Sequence, residues 1–233
     1  MVNTTYQKVK DKNTKMKKIG ESIYNLLDFV LAIVSLVILS PFFVIASLLV
    51  KFNSPGPIFY TQERYGKDKK KFIIFKFRTM DVDTEKGTPV WGTESDPRSD
   101  RIGRFLRISN IDELPQLFNV LKGQMSLVGP RPERPYFSEK FKLTIPNYEE
   151  RYKVKPGLTG WSQINGLRGD SSVEERAKYD IFYINNRSLF FYLKIILFTP
   201  LKKPVKTLRL DDTNLVYQRD FSQVDEVFAE TAP

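Results

Sequence analysis

The chain has 233 residues, enough for one large domain or two small ones with a real core. It contains no Cys and no His, which excludes disulfides, thiol nucleophiles and Cys-ligated metals and argues against a zinc hydrolase, so any acid, base or nucleophile must come from Asp, Glu, Lys, Tyr, Ser or Thr. The formal charge of +10 calls for an anionic partner: nucleic acid, an anionic membrane face or phosphorylated substrates.

Residues 1–19 form a Lys-rich polar stretch with one acidic residue, Asp11, and read as a basic arm that touches anionic head groups. Residues 22–50 are apolar almost throughout, with a single carboxylate at Asp28. As a helix this run would measure about 43 Å, against about 30 Å for a bilayer's hydrocarbon core. A single span is the plain reading, but two features oppose it. Ser40-Pro41 lies inside the run, and a proline there removes an amide donor and crowds the preceding turn. Both flanks are also basic, whereas a true crossing should be asymmetric in Lys and Arg. The pattern predicts a re-entrant membrane helix over 20–52, broken at Ser40 and Pro41 and returning to the face it entered. A cleaved signal peptide fits poorly, because the run is too long and no small-x-small site follows it.

A folded domain is expected over 53–200. Its first element is a β-hairpin pairing 57–65 with 71–78 across "KDK". Lys76 and Arg78 alternate with Phe75 and Phe77 and so should share a face away from the phenylalanines; on spacing alone that face reads as solvated. Residues 81–100 read as a polar loop. Leu114, Leu117, Phe118 and Leu121 fall on one helical stripe that Gly123 should end, and Pro115 is tolerated only in a first turn, so the helix should begin close to 112. Near the C-terminus, "LFFYLKIILF" is too short to span a bilayer and suits an interfacial helix or a buried one equally. Residues 201–233 turn polar and read as a tail. No internal repeat is seen.

Asp112 and Glu113 are the candidate chemistry. Locally they read as helix capping, since carboxylates favour helix starts. Three features favour a site. Arg98, Arg101, Arg104 and Arg107 precede the pair, and Arg131 and Arg134 follow it. Pro130 and Pro132 fix the backbone on both sides of Arg131. An Asp with an ordinary pKa of about 3.9 is ionised at neutral pH and can attack phosphorus without a base.

In these blocks the sequence resembles the bacterial sugar transferases, the monotopic phosphoglycosyl transferases. The likeness runs over about 18–200 in six ordered blocks: the apolar segment with its Ser40-Pro41 break, "SPGPIFYTQERYG", "KFRTM", "DELPQLFNVLKG", "MSLVGPRPE" and "VKPGLTGWSQINGLRGD". The resemblance implies an α+β, membrane-associated enzyme: a re-entrant helix plus a cytoplasmic catalytic domain, 53–200, with a β-hairpin and interfacial amphipathic helices, on the cytoplasmic face of the bacterial inner membrane. It implies transfer of sugar-1-phosphate from a UDP-sugar to undecaprenyl phosphate through a covalent aspartyl-phosphosugar, releasing UMP and starting a surface polysaccharide or glycoconjugate. Asp112 is then the nucleophile and the Mg²⁺ ligand, and Glu113 its dyad partner, with metal binding, substrate positioning and proton handling open as its role. Lys76, Arg78, Arg107, Arg131 and Arg168 are the substrate-binding cations. Larger members carry a further multi-span amino-terminal region, so a minimal catalytic version is expected. Leu167 before Arg168 leans the sugar towards glucose or galactose and weakens the substrate role of Arg168. Expected partners are the two substrates, membrane lipids and downstream glycosyltransferases, with room for a homo-oligomer and no nucleic acid. The alternative is a non-catalytic membrane scaffold of the same fold that gathers glycan-assembly enzymes.

Overall fold

A computed structural model describes residues 2–81, 91, 96, 98–169 and 171–201, with side chains from Gly20 onward. The expected tail from 202 and most of the polar loop in 81–100 lie outside the described residues.

The chain opens with helix α1, Val2–Asn53, in which Pro41 is internal. The basic arm is helical in backbone and continuous with the apolar segment, as suits a Lys-rich stretch with no Gly or Pro before Gly20. One expectation is corrected: the helix is not broken at Ser40-Pro41. Pro41 cannot donate to the carbonyl of Val37, but the Ser40 hydroxyl donates to that carbonyl at 2.8 Å and satisfies it in the proline's place. The segment Gly20–Asn53 is long and apolar enough, by length and composition, to cross a membrane.

One stripe of α1 packs on the rest of the protein from Glu21 to Asn53. Arg187 donates to Glu21 at 2.5 Å, and Lys155 to Asn25 at 2.9 Å. Asp28 is buried and accepts from the Ser126 hydroxyl at 3.0 Å, the Leu127 amide at 2.7 Å and the Tyr192 hydroxyl at 2.7 Å. Farther along, Ala32 enters the main core, Phe43 packs on Phe77 and Phe118, and Ala46 and Val50 pack with Phe77 and Leu106. Finally Asn53 donates to Asp100. The small residues Ala32 and Ala46 let the helix approach closely; the opposite faces, with Leu26, Val37, Ile38 and Phe42, are exposed.

Strands β1, Phe59–Tyr65, and β2, Lys71–Phe77, form the expected antiparallel hairpin, with Phe59 opposite Phe77 and Tyr65 opposite Lys71. Phe72, Ile74 and Phe77 are buried, facing α1 and the helix that follows the candidate dyad. Helix α2, Arg101–Ser109, is capped by Asp100, whose carboxylate accepts from the Gly103 amide at 2.6 Å. Gly103 lies so close to β2's end that a Cβ there would fall 2.2 Å from the Thr79 carbonyl oxygen, so glycine alone permits this joint. After a turn at Ile111–Glu113 comes helix α3, Gln116–Leu121, closed as expected by Gly123 at φ +70°.

Strand β3, Ser126–Val128, runs parallel to β4, Gly157–Thr159. A Cβ on Gly157 would meet the Gly129 nitrogen at 2.0 Å, so both glycines are needed where the two segments touch. The Gly157 amide then donates to the Pro130 carbonyl at 2.9 Å, which seats the Pro-Arg-Pro turn. Helix α4, Pro135–Thr144, the short helix α5, Trp161–Ile164, and helix α6, Val173–Asn185, complete the body. Helix α7, Leu189–Phe198, buries Tyr192 and Ile195 against α1 and leaves Phe190 and Leu197 exposed, so it combines the buried and surface readings of its sequence. Phe105 and Ile108 of α2 and Phe52 of α1 are exposed too. The fold is mixed helix and strand, with a large uncovered apolar surface carried by its helices.

Candidate active site

Asp112 and Glu113 sit in a single 3-10 turn, Ile111–Glu113, entered through Asn110 in the left-handed conformation at φ +58°. The helix itself starts later, and Pro115 occupies its cap position without a side-chain cap bond. The capping reading is therefore corrected: the turn runs into α3 through Leu114 and Pro115 with no side-chain cap bond, and both carboxylates are buried, each residue being 7% exposed.

Glu113 is held from two sides. Arg131 donates to Oε1 at 2.5 Å and to Oε2 at 3.1 Å, and Lys76 donates to Oε1 at 2.7 Å. Burial alone would raise its pKa, but Arg131 and Lys76 hold the carboxyl well below the usual range. Asp112 goes the other way. Burial pushes it up to about 6 and the charge of Glu113 adds to the rise, against the pull of Lys76, Arg131 and Arg107. Glu113 is thus a fixed anion that places Arg131 and Lys76, and Asp112 is the carboxylate whose ionisation falls near neutrality.

Both line one cavity of about 430 Å³. Its described lining has nine Lys and Arg residues against four carboxylates, a balance that favours a polyanion. The cavity brings together all seven residues singled out for catalysis and substrate: Asp112, Glu113, Lys76, Arg78, Arg107, Arg131 and Arg168. They are not held alike. Lys76 and Arg131 serve Glu113. Arg107 donates to the Ser99 hydroxyl at 3.0 Å, with Asp96 4.0 Å away. Arg78 is buried and donates to carbonyls at the end of α1 and just beyond it, Ser54 at 2.6 Å and Pro55 at 2.7 Å. The solvated face expected for Lys76 and Arg78 is accordingly not observed: Lys76 is turned onto Glu113, and Arg78 satisfies a helix end.

Arg134, one of the cations flanking the dyad in the sequence, lines the cavity, and several residues that the sequence reading missed share its wall: Arg64, Arg176, Trp91 and Phe137. Behind it, Arg151 donates to Asp180 at 2.8 Å, to the Tyr148 hydroxyl at 2.7 Å and to the Arg131 carbonyl at 3.0 Å, while the Ser162 hydroxyl donates to the other oxygen of Asp180 at 2.7 Å. Asn119, fully buried, accepts from the Phe75 amide at 3.0 Å and donates to the Ile73 carbonyl at 2.7 Å, fixing β2 one residue from Lys76. The polar Asn119 beside the apolar stripe of α3 was the available signal for that lock.

Among the described residues there is no cluster of three or more His, Cys, Asp or Glu side chains able to cage a metal. That donor set still fits Mg²⁺, which keeps several waters and takes one or two carboxylates together with substrate phosphates. Both oxygens of Glu113 are engaged by cations, which leaves Asp112 as the dyad's available ligand.

The sequence matches the bacterial sugar transferase family over residues 19–205. It is 44% identical over 179 residues to the UDP-glucose:undecaprenyl-phosphate glucose-1-phosphate transferase of Escherichia coli (strain K12), covering 75% of this chain and 39% of that protein. It is 39% identical over 172 residues to the UDP-N-acetylgalactosamine-undecaprenyl-phosphate N-acetylgalactosaminephosphotransferase of Aeromonas hydrophila, covering 73% of this chain and 41% of the relative. To the exopolysaccharide production protein PSS of Rhizobium leguminosarum bv. phaseoli it is 40% identical over 177 residues, covering 72% and 88%. The chain thus spans less than half the length of the first two relatives.

Proposed function

This chain belongs to the bacterial sugar transferase family, and from that footing we propose that it moves a sugar-1-phosphate from a UDP-sugar to undecaprenyl phosphate, opening the assembly of a surface polysaccharide or glycoconjugate. The observation that carries the reading is the division of the dyad. Glu113 is locked between Arg131 and Lys76, so Asp112 is the buried carboxylate left to react inside a cation-rich cavity. The relatives' names supply the substrate class, and glucose is the sugar they and the Leu167-Arg168 sequence favour together.

In the first step a carboxylate oxygen of Asp112 attacks the β-phosphorus of the UDP-sugar. A P–O bond forms to Asp112, the bond from the β-phosphorus to the bridging oxygen breaks, and its electron pair leaves with UMP. In the second step a phosphate oxygen of undecaprenyl phosphate attacks the same phosphorus. The bond to Asp112 breaks, restoring the carboxylate and yielding the lipid diphosphosugar. Arg131 and Lys76 hold fixed positive charge beside the reacting phosphorus throughout. Mg²⁺, with Asp112 as its protein ligand, would neutralise diphosphate charge.

The acceptor is a lipid, and the exposed apolar faces of α1, α2 and α7 suit a membrane surface. Because α1 packs on the same body at Glu21 and at Asn53, a helix seated in one leaflet with both ends on the cytoplasmic side accounts for it better than a straight crossing. The test is UMP release from UDP-glucose, UDP-galactose and UDP-N-acetylgalactosamine by detergent-solubilised protein with undecaprenyl phosphate and Mg²⁺. Release with one sugar, lost by about 10³-fold or more in Asp112→Asn, is the expected result. Silence across the panel from folded, lipid-binding protein would favour the scaffold.

A further inference from the structure

Arg64 and Arg176 stand apart from the Asp112–Glu113 clasp, though they line the same cavity. Arg176 comes from α6 and is 2% exposed. Its Nη2 donates to the carbonyls of Gly169 at 3.1 Å and Ser171 at 3.3 Å, and its Nη1 lies 3.8 Å from Glu133 Oε1. Its buried Nε has no partner among the described residues. Arg64, from β1, donates to Gln62 at 2.5 Å and to the Pro132 carbonyl at 3.3 Å, and its buried Nε is likewise unpartnered. A buried guanidinium N–H without an acceptor is costly, and Arg64 and Arg176, both lining the cavity, each carry one.

The local charge agrees. Glu133 is the carboxylate acting on both Arg64 and Arg176, and it also faces Arg131 and Arg151, whose own partners are Glu113 and Asp180. Burial, with the repulsion of Arg131 and Arg134, lowers the pKa of Arg64 to about 10, and burial lowers that of Arg176. Arg131 touches both groups of charges, since it is bonded to Glu113 and repels Arg64.

We propose that Arg64 and Arg176 form a second anion subsite that takes a phosphoryl group, and that its occupant is the phosphate of the departing nucleoside monophosphate. The assignment rests on the proposed transfer reaction. That reaction places two phosphorus atoms in the cavity, one attacked by Asp112 and one leaving. The leaving phosphate gains a negative charge as the bridging bond breaks, and the guanidiniums of Arg64 and Arg176 on the cavity wall would meet that charge. The lipid acceptor's phosphate has the same chemistry, so the measurement must separate the two.

Binding of UMP, and of uridine as the phosphate-free control, would be measured by calorimetry on detergent-solubilised full-length protein carrying Asp112→Asn, alone and combined with Arg64→Gln, Arg64→Lys or Arg176→Lys. KM for UDP-sugar and for undecaprenyl phosphate would be measured in the same Arg variants with Asp112 intact. The expected result is UMP affinity weakened about tenfold or more, the scale of one lost charge-assisted hydrogen bond, with uridine affinity and the KM for the lipid acceptor changed less than about twofold. Arg64→Lys should recover only part of the loss, because lysine restores the charge without the fork. Arg176 also ties the 169–171 backbone, so thermal melting accompanies each variant; if Arg176→Lys is unfolded, Arg64→Gln decides the matter. Unchanged UMP affinity in folded variants overturns the subsite, and so does a raised KM for the lipid acceptor alone, which would assign these arginines to the acceptor phosphate. Those outcomes leave the transfer reaction standing, whereas wild type that binds no UMP and consumes no UDP-sugar overturns both.

Discussion

Asp112 and Glu113 are adjacent in the chain and equally buried, yet their partners drive them apart in acidity. The separation carries a kinetic consequence. A nucleophilic carboxylate must be ionised, and with Asp112 near 6 its ionised fraction falls about tenfold for each pH unit below that point. We expect kcat/KM for the UDP-sugar to rise with pH along an acid limb centred near 6. Lys76 lowers the pKa of Asp112, so Lys76→Met should move the limb to higher pH while reducing the rate. A limb that stays below 5 in the wild type would contradict the assignment. Little of this is legible in the sequence. "DE" before an apolar stripe is what a helix cap also looks like, and the partners that distinguish a site lie 37 and 18 residues away at Lys76 and Arg131.

Among the elements, the Pro-Arg-Pro turn shows how the backbone serves the site. Its start is set by the contact of Gly129 with Gly157, and its middle by Arg151, which bonds the Arg131 carbonyl and is itself paired with buried Asp180. Removing one member of a buried pair leaves an uncompensated charge, so Arg151→Met or Asp180→Leu should each cost about 3–5 kcal/mol, and the double variant less than the sum. Urea denaturation with both singles and the double measures this, and additive losses would show that the pair does not act as a unit. The hairpin, α3 and the apolar character of α7 were readable because each is encoded by local periodicity. The continuity of α1 is not, because a proline's local effect depends on the hydroxyl before it: Ser40 supplies to Val37 the bond that Pro41 withholds. Arg151, Asp180 and Arg176 lie in segments whose local pattern says only that they are polar, and burial comes from tertiary packing.

For the whole molecule the telling feature is that one long apolar helix is fastened at both ends and in its middle to a single body. The chain has no native Cys, so single cysteines report its membrane disposition without background. Ser22→Cys and Lys51→Cys, both at exposed positions, should react with a membrane-impermeant maleimide in inside-out vesicles and not from the outside of spheroplasts, while Val37→Cys reacts in neither. Labelling of either end from outside would mean a crossing. The membrane association, the basic balance and the family were visible in the sequence, since they rest on composition and ordered blocks; the way α1 lies along the body depends on contacts such as Asp28 with Leu127, which no local rule supplies.

The central claim, that Asp112 carries the sugar phosphate covalently, is tested most directly by leaving out the acceptor. Full-length protein with UDP-glucose and Mg²⁺ but no undecaprenyl phosphate would be quenched, assayed for UMP and weighed by intact-mass spectrometry. The account predicts about one UMP per protein and a mass gain of one hexose phosphate on the Asp112 peptide, both absent in Asp112→Asn and both discharged by adding undecaprenyl phosphate. Turnover with acceptor present, but no UMP and no adduct without it, would contradict the account and show direct transfer between the two substrates.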